Sequence, residues 1–291
     1  MDDTGPYRRT LLRTTGIMKR FDALTALGGV DFDMPRHGIV SVIGPNGAGK
    51  TVFFNVLSGI TKPDAGEIWF DGHRITGLRP DLITQLGMAR TFQNLRLFGN
   101  MTVLENVLVG EHSRLKVGIL GSVLHSPQHT AEESESRRRA MDILRFVGIE
   151  HIANAVAGNL PYGMARRLEI ARALAAEPQL LLLDEPTSGM NPQETNSLID
   201  LIDSIHKDMA VAVLLIEHDM RVVMRISERI SVLDYGLKIA EGTPGQVRSD
   251  QRVIEAYLGR GASAEREIAP EVPTAETPQN PSPKLVPRTA E

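Results

Sequence analysis

Residues 38–51 read GIVSVIGPNGAGKT. A short run, Ile39 to Ile43, apolar but for Ser41, goes straight into three glycines, a lysine and a threonine. A mostly apolar run of this length, stopped by glycine, predicts a strand buried on both faces. GPNGAGKT, residues 44–51, fits the spacing G-x-x-x-x-G-K-[ST], and KTVFFNVLSGI after it has helical character. Strand, glycine loop and helix in that order are the context in which this spacing cradles nucleotide phosphates. Gly44, Gly47 and Gly49 let the chain wrap tightly enough for backbone N–H groups to face phosphate oxygens, with Pro45, Asn46 and Ala48 between them. Lys50 supplies a point charge for the β- and γ-phosphates, and Thr51 offers a hydroxyl to Mg²⁺. Val52 follows at the end of the cradle.

Two more runs of the same kind lie downstream, LLLLDE (180–185) and VAVLLIEH (211–218), with a helical stretch, NSLIDLIDSIHKD, between them. Apolar strands separated by helices predict a parallel sheet covered on both faces. Ligands of such sheets bind at the carboxyl ends of the strands, and each of these three strands ends in polar residues. Alternate side chains of a strand face opposite ways, so Asp184 and Glu185 are expected to do different work. Asp184 is expected to hold Mg²⁺ through water, and Glu185 to accept a proton from an attacking water. His218, at the end of the third strand, is placed to bond a γ-phosphate. Gln93, in ARTFQNLRLF (89–98), carries an amide able to reach Mg²⁺ or the attacking water. His125 and His129 sit in a polar stretch and are read as surface residues.

The bulk properties set limits. The chain has 291 residues, 42% hydrophobic and 23% charged, with a formal net charge of −4. That is ordinary for a soluble globular protein and gives no electrostatic reason to expect a nucleic-acid partner. With no cysteine, disulfides and thiolate metal sites are excluded. No apolar run approaches the roughly 20 residues that span a bilayer, and the first residues lack the apolar core of a signal peptide. Between about 101 and 158, VLENVLVGEHSRL and EESESRRRAMDILRFVGI have helical spacing and predict a helical subdomain inserted into the α/β core. Residues 262–291, rich in Pro, Ala and Glu, predict a disordered tail after a domain over 1–261.

One more stretch, LPYGMARRLEIARALAA (160–176), reads as a helix with Pro161 and Gly163 at its mouth and Arg166 and Arg167 in its first turns. Cations there oppose the helix dipole. Alone, the stretch reads as a surface helix.

In company, these motifs carry a resemblance. GPNGAGKT, the Gln93 loop, the helix at 160–174, LLLLDEPTSGMNP and LLIEHD stand in the order of the ATP-binding cassette ATPases, over roughly residues 7–259. FQNLRLFGNMTVLENVLVGEH, YGxxRRLEIARALA, LLIEHDM and AYLG look like the ATPase subunit of branched-chain amino acid importers. The resemblance implies a P-loop core with a mostly parallel sheet, an N-terminal antiparallel β region and the inserted helices. It implies ATP and Mg²⁺ as cofactors and a second ATPase subunit, the same chain or a similar one. It further implies two membrane-embedded permeases, an indirect link to a periplasmic binding protein, and a place on the cytoplasmic face of the inner membrane. By it, Phe21 stacks on adenine and Pro186 to Asn191 cross to the second subunit. Pro161, Tyr162, Gly163 and Met164 then face the γ-phosphate held by the partner copy's Lys50, where a helix N-terminus makes an anion site.

The chain departs from the wider pattern in places. Pro161 replaces a common Ser, Tyr162 a common Gly, Met164 and Ala165 two glutamines, and Val52 a second Thr. Related readings are a urea importer, a lipopolysaccharide exporter, and a soluble cassette protein of repair or translation.

Overall fold

The computed structural model describes residues 10–111 and 127–258. The expected tail and the end of the expected domain lie outside the described residues. So do His125 and part of the helical stretch between 101 and 158.

The central sheet explains the apolar runs. β3 (Ile39–Ile43), β7 (Leu180–Asp184) and β8 (Ala212–Ile216) are buried at every residue. In the described sheet the strand order is β10-β9-β3-β8-β7-β6, with β6 at Met88–Arg90, β9 at Arg229–Asp234 and β10 at Leu237–Gly242. All neighbours are parallel except β9 and β10. The period of two sends alternate residues to opposite faces, yet both faces are covered. Leu180, Leu182, Leu214 and Ile216 join one apolar cluster, and Leu181, Leu183, Val213 and Leu215 join another. Each such buried apolar side chain is worth about 1.5–3 kcal/mol, and the one polar residue within these three strands before their ends, Ser41, is buried with its hydroxyl 2.6 Å from that of Ser227.

On the first face lies an antiparallel sheet in the order β2-β1-β4-β5, formed by β1 (Thr10–Phe21), β2 (Leu24–Pro35), β4 (Ala65–Phe70) and β5 (His73–Arg74). Helix α1 (Lys50–Leu57) packs between the sheets through Phe53, Phe54, Val56 and Leu57. It stops three residues before the sequence pattern suggests. Gly59, in the left-handed region at φ +74°, lies so close to the Leu78 carbonyl that a Cβ there would be 2.4 Å from its oxygen. A short helix, α2 (Pro80–Gln85), leads into β6. On the second face lie α3 (Val103–Glu111), α4 (Pro127–Phe146) and α5 (Tyr162–Leu174). Between Thr102 and Val156 the described part of this region contains one β-bridge. Helix α6 (Pro192–Met209) follows β7.

The chain enters α6 through a capping box. The Asn191 side chain accepts from the N–H groups of Gln193 and Glu194 at 3.0 and 2.9 Å, and Glu194 accepts from the Asn191 N–H at 3.1 Å. Pro192 fills the first helical position, where its missing N–H is not needed. Leu198, Ile199, Leu201, Ile202 and Ile205 then form the buried stripe.

Register decides where the site lies. Val42 of β3 and Asp184 of β7 both pair with Ile216 of β8. The three strand ends are therefore level, and the polar residues that follow them meet on one edge.

Candidate functional site

The glycine loop leaves β3 in a shape that side chains forbid. Gly44 has φ +151°, and a Cβ on it would lie 2.0 Å from the Leu233 carbonyl oxygen. Gly49, at φ +99°, would put a Cβ 2.6 Å from the Ala26 carbonyl oxygen. β2 and the end of β9 thus press on the loop at these two glycines. The Lys50 ammonium lies inside the loop, donating to the carbonyls of Gly44 (2.6 Å) and Pro45 (3.1 Å). Val52 packs, half-buried, against the apolar cluster beneath, so a methyl group is used where the wider pattern has a hydroxyl. Phe21 ends β1 beside the tight β1–β2 turn, 46% exposed, with the Lys19 ammonium 5.3 Å from its ring centre.

Beside the loop lies a cleft of about 570 Å³ lined by Thr51, Asn55, Arg90, Gln93 and Asp184 among others. Asp184 is 2% exposed. One of its carboxylate oxygens accepts from Arg90 at 2.8 Å; the other, Oδ1, is buried with no partner. A buried carboxylate oxygen left unpaired is costly, and here it stands in the cleft wall with the Thr51 hydroxyl and the Gln93 amide. That donor set, all oxygen, suits a hard divalent cation such as Mg²⁺. Arg90 also donates to Asn55 and Ser58, both at 2.8 Å, and its guanidinium lies 5.6 and 5.1 Å from the ring centres of Phe54 and Phe92. Burial pulls the Arg90 pKa down, and Asp184 opposes the shift.

The sequence holds no local sign of this ion pair, whose members are 94 residues apart. Removing one partner of a buried pair leaves an uncompensated charge. Arg90→Met is therefore expected to destabilise the fold by about 3–5 kcal/mol, measured as a lower midpoint in urea. An unchanged midpoint would show that Asp184 has other support.

Glu185 is not the next residue of a strand. It sits in the left-handed region at φ +45°, a conformation that costs a non-glycine residue about 1–3 kcal/mol and gathers at functional sites. The separation of Asp184 from Glu185 thus comes from this kink as well as from strand alternation. The Glu185 N–H bonds the Ile216 carbonyl at 2.9 Å, holding the kink to β8. Its Oε2 accepts from the Gln93 amide at 2.9 Å and lies 3.7 Å from His218 Nδ1. Gln93, Glu185 and His218, read from three separate stretches, converge on one carboxylate oxygen.

Glu217 went unremarked in the sequence. Fully buried, it accepts from the Thr187 N–H at 3.0 Å, from the Thr187 hydroxyl, and from the His218 N–H at 3.1 Å. It ties the loop after Glu185 to the loop that carries His218. The signal was an acid at the end of an otherwise apolar run.

The structure refines the sequence reading of the helix mouth in two ways. Pro161 is the N-cap, because its ψ of 149° is extended. The first backbone bond within the helix runs from the Ala165 N–H to the Pro161 carbonyl, at 2.9 Å. The N–H groups of Tyr162, Gly163 and Met164 have no acceptor in the preceding turns of the helix. Secondly, the arginines are not surface cations. Arg166 is fully buried, while Arg167 donates to the Val147 carbonyl and the Ser197 hydroxyl, both at 2.7 Å. Any anion at this mouth would meet backbone N–H groups rather than guanidinium. Pro161 and Tyr162 are exposed, and Gly163 and Met164 half-buried.

Comparison with known proteins places the chain in a family. A family model described as ABC transporter matches residues 27–188, and one described as branched-chain amino acid ATP-binding cassette transporter matches 238–263. High-affinity branched-chain amino acid transport ATP-binding protein LivG of Escherichia coli is 46% identical over 249 residues, 86% of this chain and 98% of that protein. The similarly named BraF of Pseudomonas aeruginosa is 45% identical over 251 residues, with 86% and 98% covered. Among solved structures, the ADP conformation of an ATP-binding cassette of an ABC transporter superposes with a TM-score of 0.74 at 31% identity, covering 86% of this chain and 99% of that one. A dimeric post-hydrolysis cassette bound to ADP and Pi gives 0.68 at 26%, covering 80% and 98%.

Proposed function

The chain belongs to the ABC transporter family of ATP-binding cassette proteins, and on that premise we propose that it is the ATP-hydrolysing subunit of a branched-chain amino acid importer. The observation that carries the chemistry is the convergence of Gln93 and His218 on Glu185 beside the glycine loop. ATP binds in the loop of residues 44–52, with its phosphates on the backbone N–H groups and on Lys50, and with Phe21 against the adenine. Thr51, Gln93 and, through water, Asp184 would hold Mg²⁺, which when bound would neutralise phosphate charge. Glu185 accepts a proton from the attacking water, Gln93 orients that water, and His218 bonds the γ-phosphate.

The site is completed by a second protomer, the same chain or a similar one, whose residues Pro161 to Met164 face the γ-phosphate. The names of LivG and BraF, branched-chain amino acid transport ATP-binding proteins, support the choice of solute. Among the described residues no helix is long and apolar enough to cross a membrane, which fits a subunit held at the cytoplasmic face of the inner membrane by two permeases. A periplasmic binding protein acts on the same complex from the other side.

Co-purification from membranes tests the assignment. Tagged chain is expected to bring down two integral membrane subunits and to restore ATP-dependent leucine uptake to a strain lacking it. Recovery with a lipid exporter, or alone, would contradict the importer reading.

A further inference from the structure

Arg166 joins two parts of the site. Its Nη1 donates to the Phe92 carbonyl at 2.8 Å and to Glu169 Oε2 at 2.7 Å. Its Nη2 donates to the Gln93 carbonyl at 3.0 Å and to the Tyr162 hydroxyl at 2.9 Å. The other oxygen of Glu169 accepts from the Phe92 N–H at 3.3 Å. The ion pair on α5 therefore grips the Phe92 residue by both its N–H and its carbonyl, and reaches the next carbonyl as well. Both side chains are buried, with Arg166 at 0% exposure and Glu169 at 1%.

A dry ion pair is weak evidence for stability, because desolvation offsets much of its attraction. What it supplies is geometry. A planar guanidinium holds several acceptors at fixed angles, which an ammonium cannot do. Here the acceptors lie in two places. Gln93 points its amide at Glu185, while its backbone is tied to α5. Tyr162 is the first residue of α5 and is exposed at its mouth.

We propose that Arg166, oriented by Glu169, is a positioning residue that makes the Gln93 backbone and the mouth of α5 move as one piece. A change felt by Gln93 in its own nucleotide site then alters the helix end offered to the neighbour's nucleotide. This rests on the reading that α5 completes a second protomer's site; the link within one protomer can be tested apart from it.

The test is amide hydrogen exchange at residues 160–165 of the full chain, with and without Mg²⁺ and a non-cleavable ATP analogue. The protein is dilute enough to be monomeric by light scattering. In the wild type the analogue is expected to change exchange at 160–165 by about fivefold or more, since local opening reports local coupling. In Arg166→Lys and Glu169→Gln, affinity for a fluorescent analogue is expected to stay within about twofold, while the response at 160–165 disappears. A merely structural role would raise exchange equally with and without nucleotide, and that result overturns the proposal. So does a full response in either variant, or a wild type that responds at 44–52 but not at 160–165. If both variants fail to fold, Tyr162→Phe removes the hydroxyl that Arg166 holds at an exposed position, and is expected to weaken the response; an unweakened response then overturns the proposal. Failure of Glu185→Gln to dimerise with ATP would refute the two-protomer site instead, and would leave this single-protomer response unaffected.

Discussion

Glu185→Gln is expected to retain ATP binding, to lose turnover by about 10²–10⁴-fold, and to hold two protomers together around ATP. The loss follows from the carboxylate's place. Glu185 is fixed by a left-handed backbone and by its N–H bond to Ile216, and it presents one oxygen to both Gln93 and His218. Glutamine keeps the volume and one carbonyl oxygen but cannot take a proton at neutral pH. The phosphate grip involves other residues, so affinity should survive. If ATP bridges two protomers and only hydrolysis releases them, blocking hydrolysis must shift the population to the closed pair. Single-turnover ATPase and light scattering with ATP check the two halves. Near-normal turnover would remove Glu185 from the role of base.

Lys50→Ala should abolish tight nucleotide binding. Lys50 is 7% exposed, and its ammonium is already turned into the loop, donating to the Gly44 and Pro45 carbonyls. A triphosphate entering the loop offers the same donors far stronger acceptors. Hydrogen bonds to charged groups are worth roughly 1.5–3 kcal/mol each, so losing two costs about 10²–10⁴-fold in affinity. The deletion also removes the Lys50 bond to the Gly44 carbonyl and leaves the Pro45 carbonyl with the Ala48 N–H alone, which loosens the cradle itself. Titration with a fluorescent ATP analogue measures the loss, and an unchanged curve would contradict the role given to Lys50.

What the sequence disclosed about this molecule depends on what kind of signal each residue leaves. Buried strands announce themselves, since Leu180 to Leu183 are apolar at every position and Ile39 to Ile43 at every position but Ser41. Glycines that no other residue could replace, such as Gly44 and Gly49, mark the loop directly. Polar residues at strand ends pointed to Asp184, Glu185 and His218, and the level register of β3, β7 and β8 brings them together.

Buried charges leave no such trace. Arg90 looks like any strand-end cation until Asp184 is folded against it. Arg166 looked like a surface residue because helical arginines usually are. A sign was available, since Arg166 and Glu169 are opposite charges three apart on a helix, flanked by Leu168 and Ile170. Glu185 posed a different difficulty, because nothing in LLLLDEP shows that the strand ends one residue before it.

The central claim is that a triphosphate is gripped from two sides, by the loop of residues 44–52 on one protomer and by residues 161–164 on another. The most direct measurement is a crystal structure of the Glu185→Gln chain with Mg²⁺ and ATP. The account predicts the N–H groups of Tyr162 to Met164 at hydrogen-bonding distance, about 3 Å, from the γ-phosphate held by Lys50 of the neighbouring copy. A closed nucleotide site built wholly from one protomer, with 161–164 turned away from every phosphate, would contradict it.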